Sequence, residues 1–114
     1  MPRAMSFAIT TQQMRAKTKR VTRRLRWTGL QPGDLVQACE KCMGFKKGER
    51  RPPPIGLIRI VSTRFEQLKF ITAADCALEG FPEMNPNEFV TMFCAAMKCD
   101  PETVVNRIEF EPLY

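Results

Sequence analysis

The chain has 114 residues, of which 44% are hydrophobic and 26% are charged, an ordinary mixture for one globular domain. It contains no histidine, which excludes Ser-His-Asp and Cys-His catalysis and histidine metal sites. No apolar run approaches the ~20 residues that span a membrane, and the N-terminus lacks the apolar stretch of a secretory signal. We therefore expect a cytoplasmic protein without a membrane partner.

The net charge of +6 is distributed unevenly along the chain. Residues 1–33 contain eight Lys or Arg and no Asp or Glu, whereas residues 34–114 contain ten basic and twelve acidic residues. A one-sided positive field favours an anionic partner, most often a nucleic acid. The alternative is a charged surface that only keeps the protein soluble.

Residue patterns along the chain predict six extended segments. Each is rich in β-branched or apolar residues, and turns with Pro or Gly separate several of them. In chain order they are residues 6–10, 17–27, 35–40, 55–62, 65–70 and 104–111. The last segment alternates with a period of two, as a closing strand does.

Three helices complete the predicted elements. The first is short and ends near Arg15, and the second begins at a capping box at Thr72 and ends at Gly80. The third begins after Asn85, where Pro occupies the first helical position. Its expected core face consists of Phe89, Met92, Phe93, Ala96 and Met97. This order of strands and helices predicts an α+β fold, a small mixed β-barrel with peripheral helices.

The segment Arg15–Arg26 is strongly basic, since seven of its twelve residues are Lys or Arg. Such side chains bind phosphates, and the hydroxyls of Thr18 and Thr22 can add hydrogen bonds. The alternative is an edge strand that is guarded by charge. In this segment and in the later basic loop, we predict nucleic-acid contacts from Lys17, Arg20, Arg23, Arg26, Lys46 and Lys47.

The five cysteines are an odd number, so we expect free thiols in a reducing compartment. Cys39 and Cys42 form a CxxC pair, and with Cys94 and Cys99 they could bind zinc. However, Cys39 lies in a predicted strand and Cys94 lies on an apolar helix face. We therefore expect no bound metal, no disulfide and no cofactor.

Several short motifs occur in an order that resembles a known family. Residues 17–24 (KTKRVTRR) and 30–34 (LQPGD) are similar to a Gly-x-Lys-Thr-x-Thr-x-Arg stretch and the Pro-Gly-Asp turn that follows it in the ASCH family, within the PUA-like superfamily. Residues 71–81 and 103–111 resemble the Glu-bearing helix and the closing strand of that family. The resemblance covers residues 5–112 and implies a single ASCH-like domain over 1–114 with a PUA-like barrel. Phage genomes carry many ASCH proteins of this length, which makes a phage source consistent with it.

Some ASCH proteins are amidohydrolases that remove the acetyl group from N4-acetylcytidine. By resemblance, their catalytic Lys, Thr and Glu correspond to Lys19, Thr22 and Glu79, and a substrate-binding Arg corresponds to Arg24. The resemblance thus implies hydrolysis of N4-acetylcytidine or a related modified nucleoside. The alternative is a non-catalytic RNA-binding module that uses the same cleft. In either case we expect a monomer whose partner is a modified nucleoside or RNA.

Two positions in the motif depart from the family pattern. Lys17 stands where the family has Gly, and Arg20 stands where it has Thr. Both changes add bulk and positive charge beside the expected pocket.

Amide hydrolysis by these residues is physically reasonable. Lys19 with a lowered pKa could act as the base, Thr22 could attack or hold a water, and Glu79 could orient Lys19 or protonate the leaving amine. Alternatively, Glu79 only forms a buried ion pair with Lys19 or Arg24. Because Lys19 and Thr22 are three residues apart, a regular strand would point them to opposite faces. They can share a pocket only if a bulge separates them or if Lys19 precedes the strand.

Overall fold

The computed structural model describes residues 2–114 and contains a mixed sheet with helices on its faces. The elements are β1 (Arg3–Ser6), α1 (Thr11–Arg15), β2 (Val21–Arg24), β3 (Leu35–Cys39), β4 (Gly56–Gln67), a 3-10 turn (Leu68–Phe70), α2 (Ala73–Leu78), α3 (Pro86–Met97) and β5 (Val104–Pro112). The α+β class predicted from the sequence is confirmed. None of the helices formed by these residues is long and apolar enough to cross a membrane.

The five strands are ordered β1-β3-β4-β5-β2 across the sheet. Only β1 and β3 are parallel, and the other neighbours pair antiparallel. A register shift between Ile60 and Ser62 bends the long strand β4. The edge strands β1 and β2 approach each other, because Nη2 of Arg24 donates a hydrogen bond of 2.8 Å to the carbonyl oxygen of Ser6. The curled sheet therefore has the barrel-like form that the sequence predicted.

The sheet separates two hydrophobic clusters. Ile108 and Phe110 of β5 belong to the first, which also contains Met5, Phe7, Met14, Leu30, Val36, Ala38, Ile55, Ile58 and Ile60. Val105, on the opposite face of β5, belongs to the second, with Leu68, Ile71, Cys76, Phe89 and Phe93. The helices α2 and α3 therefore cover one face of the curled sheet, and the N-terminal segment covers the other.

Several predicted strand boundaries were wrong. The first strand was expected at 6–10 but occupies Arg3–Ser6, and residues 7–10 form a turn in which the amide of Thr10 bonds the carbonyl of Phe7. In the basic segment only Val21–Arg24 pairs with β5, and the strand expected at 65–70 ends at Gln67. The apolar residues indicated the approximate positions of these strands, but turn formation and pairing with neighbouring strands determined the residues at which each strand begins and ends.

The third predicted helix is confirmed at its start and corrected at its end. Asn85 caps α3 in a complete capping box with Glu88. Phe89 and Phe93 are buried as expected, whereas Ala96 and Met97 are exposed. The core lies beneath the first turns of α3 only, and the last turn extends over a cavity instead.

Candidate active site

A cavity of about 270 Å³ lies where β2 and the segment after β1 meet α3 and the end of α2. Its polar side is formed by Lys19, Thr22, Arg23, Arg24 and Glu79. Its apolar side is formed by Phe81, Phe89, Met92, Phe93 and Met97. Residues 6–10 complete the wall. The four residues that family resemblance marked as catalytic or substrate-binding therefore line one cavity.

Lys19 and Thr22 share the cavity because Lys19 precedes β2, which begins at Val21. The amide of Arg20 donates to the carbonyl of Leu78 over 2.7 Å, which ties this irregular segment to the end of α2. The alternation of side chains along a strand therefore does not force Lys19 and Thr22 to opposite faces. Both are buried, at 3% exposure each, so their polar groups face the cavity rather than open solvent.

Lys19 and Glu79 form a buried ion pair. Nζ of Lys19 donates to Oε1 of Glu79 over 2.7 Å and to the backbone carbonyl of Glu79 over 2.8 Å. Burial lowers the pKa of Lys19 from its usual 10.5, and the carboxylate of Glu79 opposes that change only in part. Gly80 positions Glu79, because its φ of +103° ends α2 directly after this residue.

Further ion pairs fix the carboxylate of Glu79 on the side away from Lys19. Oε2 of Glu79 accepts a bond of 3.1 Å from Arg23, whose other terminal nitrogen contacts Asp75 at 2.6 Å and Glu66 at 3.3 Å. Arg107 donates two bonds to Asp75, of 2.7 and 3.0 Å. The bonds from Arg107, followed by those from Arg23, lower the pKa of Asp75 to about 2.

Arg24 has a different environment from Arg23. Its Nε donates to Oγ1 of Thr22 over 3.0 Å, and its Nη2 donates to the carbonyl of Ser6. The guanidinium also lies over the ring of Phe7 at 4.7 Å. Burial lowers the pKa of Arg24 to about 10. The hydrogen-bonding partners of Arg24 are thus uncharged, and the carboxylate of Glu79 opposes the fall in its pKa without forming an ion pair with it.

The structure separates the residues that were predicted to contact nucleic acid. Lys17, Arg20, Arg26, Lys46 and Lys47 are exposed. Arg23 requires a correction, because its side chain is only 1% exposed and is committed to three carboxylates. It cannot reach a phosphate backbone without breaking those pairs.

Sequence reasoning missed Asp75 and Arg107 as parts of the site. A signal existed for Asp75, since it precedes Glu79 by four residues and such residues share a helix face. A signal also existed for Arg107, a charged residue on the same face of β5 as the buried Val105. Neither signal identified the partner, because Asp75 and Arg107 are 32 residues apart in the sequence.

Four of the five cysteines lie in two separate pairs, and the fifth, Cys76, is buried in the second hydrophobic cluster. Within residues 2–114, no three Cys, Asp or Glu side chains are grouped so that they could hold a metal ion. The sulfur atoms of Cys94 and Cys99 are 4.0 Å apart, and Cys39 neighbours Cys42 closely enough to raise the pKa of Cys39 further than burial alone does. The four-thiol arrangement considered from the sequence is therefore not formed.

Comparison with known proteins identifies the fold. The sequence matches no protein-family model and no curated protein. Its structure is similar to a DUF984 protein from Enterococcus faecalis, with a TM-score of 0.69 and 13% identity over 99% of this chain and 77% of that one. It is also similar to an ASCH domain from Lactobacillus crispatus, with a TM-score of 0.60 and 18% identity over 97% and 79% of the two chains. The chain therefore has the ASCH-type fold that its motifs suggested.

Proposed function

We propose that this chain acts as one ASCH-like domain that hydrolyses the acyl amide of N4-acetylcytidine or a related modified nucleoside. The observation that carries the proposal is the meeting of Lys19, Thr22 and Glu79 at one cavity, with Nζ of Lys19 2.7 Å from Oε1 of Glu79. A base, a hydroxyl and a carboxylate are the groups that amide hydrolysis needs when histidine is absent.

In the proposed reaction, neutral Lys19 takes the proton of Thr22 while the hydroxyl oxygen attacks the acyl carbon. The hydrogen bond from Arg24 to this oxygen favours the developing alkoxide. Lys19 then returns the proton to N4 as the C–N bond breaks, and a water hydrolyses the acyl ester. The net reaction adds one water and yields cytidine and a carboxylic acid.

Glu79 holds Lys19 in position and stabilises its protonated form. Its second carboxylate oxygen is held by Arg23, so the carboxylate cannot turn away from Lys19 without breaking a buried bond. The apolar side of the cavity supplies Phe and Met side chains against which a nucleobase can pack.

The test is steady-state hydrolysis of N4-acetylcytidine by the wild type and by Glu79→Gln. We expect kcat to fall by roughly 100-fold or more, because the variant loses the carboxylate that orients the base. The residual activity should require a lower pH for half-maximal rate, since Glu79 raises the pKa of Lys19 against the effect of burial. Glu83→Gln, which removes an exposed carboxyl, is the matched control. Absence of hydrolysis by the wild type would contradict the proposal.

A second candidate is a non-catalytic RNA-binding module. It is favoured by the exposed cations Lys17, Arg20, Arg26, Lys46 and Lys47, which can meet phosphates while the cavity holds a base. Titration with single-stranded RNA, alongside the hydrolysis assay, separates the two candidates. RNA binding without hydrolysis of any acylated cytidine supports the module and rejects the enzyme.

A further inference from the structure

The ion pairs beside the cavity balance one another in charge. Their N–O distances range from 2.6 to 3.6 Å. The cations are Lys19, Arg23, Arg64 and Arg107, and the carboxylates are Glu66, Asp75, Glu79 and Glu109. In the resting state, with Lys19 protonated, this network of four cations and four carboxylates is neutral as a unit, and it carries one net negative charge only while Lys19 is deprotonated to act as the base.

Arg24 is an additional cation beside this neutral network. It forms no ion pair within the described part of the chain, and its two side-chain hydrogen bonds go to the uncharged oxygens of Thr22 and Ser6. The ring of Phe7 offers a cation–π contact, which does not neutralise the charge of the guanidinium. A guanidinium has five N–H donors, so donors remain for a ligand in the cavity that Arg24 lines. Arg24 is half-buried, and a partly desolvated cation whose hydrogen bonds go only to uncharged groups is stabilised when an anion joins it.

We propose that Arg24 binds a carboxylate on the acyl group of the substrate. The preferred substrates are then cytidines whose N4-acyl chain ends in a carboxylate, such as a succinyl group. This inference rests on the proposed function and names the substrate class of the same site. Hydrolysis of N4-succinylcytidine adds one water across the C–N bond and yields cytidine and succinate.

The position of Arg24 favours the acyl end of the substrate over a phosphate. Its Nε lies 3.0 Å from Oγ1 of Thr22, the proposed attacking atom, so an anion on the same guanidinium lies beside the reacting carbonyl. The acyl chain begins at that carbonyl. A 5′-phosphate is attached to the ribose, at the opposite end of the nucleoside from N4.

The test compares ligands that differ only in terminal charge. Non-hydrolysable analogues, in which a methylene replaces the reacting amide nitrogen, carry either a terminal carboxylate or the corresponding carboxamide. Two further analogues carry an acetyl group, one with and one without a 5′-phosphate, and measure any gain from the phosphate. Calorimetric titration of the wild type should show the carboxylate analogue binding at least about 10-fold more tightly than the carboxamide, because the bond to guanidinium is charge-assisted.

Two variants locate this preference. Arg24→Gln should reduce the carboxylate preference to within about twofold, because an amide can replace hydrogen bonds but supplies no charge. Arg50→Gln removes the same charge from an exposed position outside the site and should keep the preference. Thermal unfolding checks that both variants fold, and the comparison of ligands on the wild type decides the question even where a variant does not.

Each contrary outcome is distinct. Equal binding of carboxylate and carboxamide by the wild type overturns the inference, and so does a gain that appears only with the 5′-phosphate. An equal loss for all ligands in Arg24→Gln assigns Arg24 a general positioning or oxyanion role and also overturns it. A carboxylate preference that depends on Arg24, without hydrolysis of N4-succinylcytidine, supports the anion site and rejects the hydrolase.

Discussion

The basic segment contains two sets of cations that the sequence does not distinguish. Arg15, Lys17, Arg20 and Arg26 are exposed, whereas the side chains of Lys19, Arg23 and Arg24 line the cavity. The neighbours Arg23 and Arg24 both turn inward, although successive residues of a strand point to opposite faces. Both faces of the edge strand β2 are covered by protein. Arg23 faces the end of α2 on one side, and Arg24 faces the end of β1 on the other.

The two fully buried cations of the segment, Lys19 and Arg23, are paired with carboxylates, whereas the half-buried Arg24 has only uncharged hydrogen-bond partners. Carboxylates, rather than spacing, therefore mark the cations that are fully buried. Arg23 is paired with carboxylates from β4, α2 and the residue that follows α2. The exposed cations keep their hydration and need no such partners. A basic sequence segment therefore indicates a nucleic-acid surface only through those of its Lys and Arg side chains that are exposed in the fold.

The largest difference between the two sets is expected in stability. Arg23→Ala should lower the free energy of unfolding by about 3–5 kcal/mol, because it leaves Glu79 and Asp75 without one of their buried cations. Arg20→Ala, which truncates an exposed cation of the same segment, should change it by less than about 0.5 kcal/mol. Urea unfolding of both variants measures the difference. Similar losses for the two would show that the Arg23 network does not stabilise the fold.

A smaller effect is expected from the protonation of Asp75 in acid. Its folded-state pKa is lowered from 3.8 to about 2, so its contribution to stability is complete above 3.8 and is lost as the pH falls towards 2. The loss should amount to about 2 kcal/mol.

Urea unfolding at a series of pH values measures this contribution as the difference between the wild type and Asp75→Asn. That difference should shrink between about pH 4 and pH 2. Glu83→Gln removes an exposed carboxyl that has no ion pair within residues 2–114, and it should show no such trend. A difference that stays constant with pH would contradict the role of Asp75 in the network.

Local sequence signals predicted most of the elements, and the resemblance to a family marked the residues that meet at the cavity. The caps at Thr72 and Asn85 were read correctly because each is completed within three residues. The motif that marked Lys19, Thr22 and Glu79 did so by resemblance, and the spacing alone argued against a shared pocket. Only the start of β2 at Val21, which depends on pairing with β5, resolved that conflict.

The misread residues depend on partners that are distant in sequence. Arg23 reaches Asp75 across 52 residues and Glu79 across 56, so no local pattern shows that its charge is already balanced. The exposure of Met97 likewise depends on where the core beneath α3 ends. Long-range pairing decides both, and it does not follow from composition, periodicity or capping.

The smallest stability effect, and the clearest test of the exposed set, comes from Arg20 and Arg26. Replacing both with Ala should change the free energy of unfolding by less than about 1 kcal/mol, because neither forms an ion pair in the described chain.

If these side chains meet phosphates, the slope of log affinity for single-stranded RNA against log salt concentration should fall by about 1.4 in the double variant, or roughly 0.7 for each phosphate that is no longer neutralised. Hydrolysis of a free nucleoside, which carries no phosphate, should stay within about twofold of the wild type. A salt titration of RNA affinity on both proteins measures the slope, and Arg50→Gln with Lys98→Gln, which removes two exposed cations outside the basic segment, is the control for charge alone. An equal fall in slope for the control pair would mean that RNA senses only the net charge of the protein and that the basic segment is no defined interface.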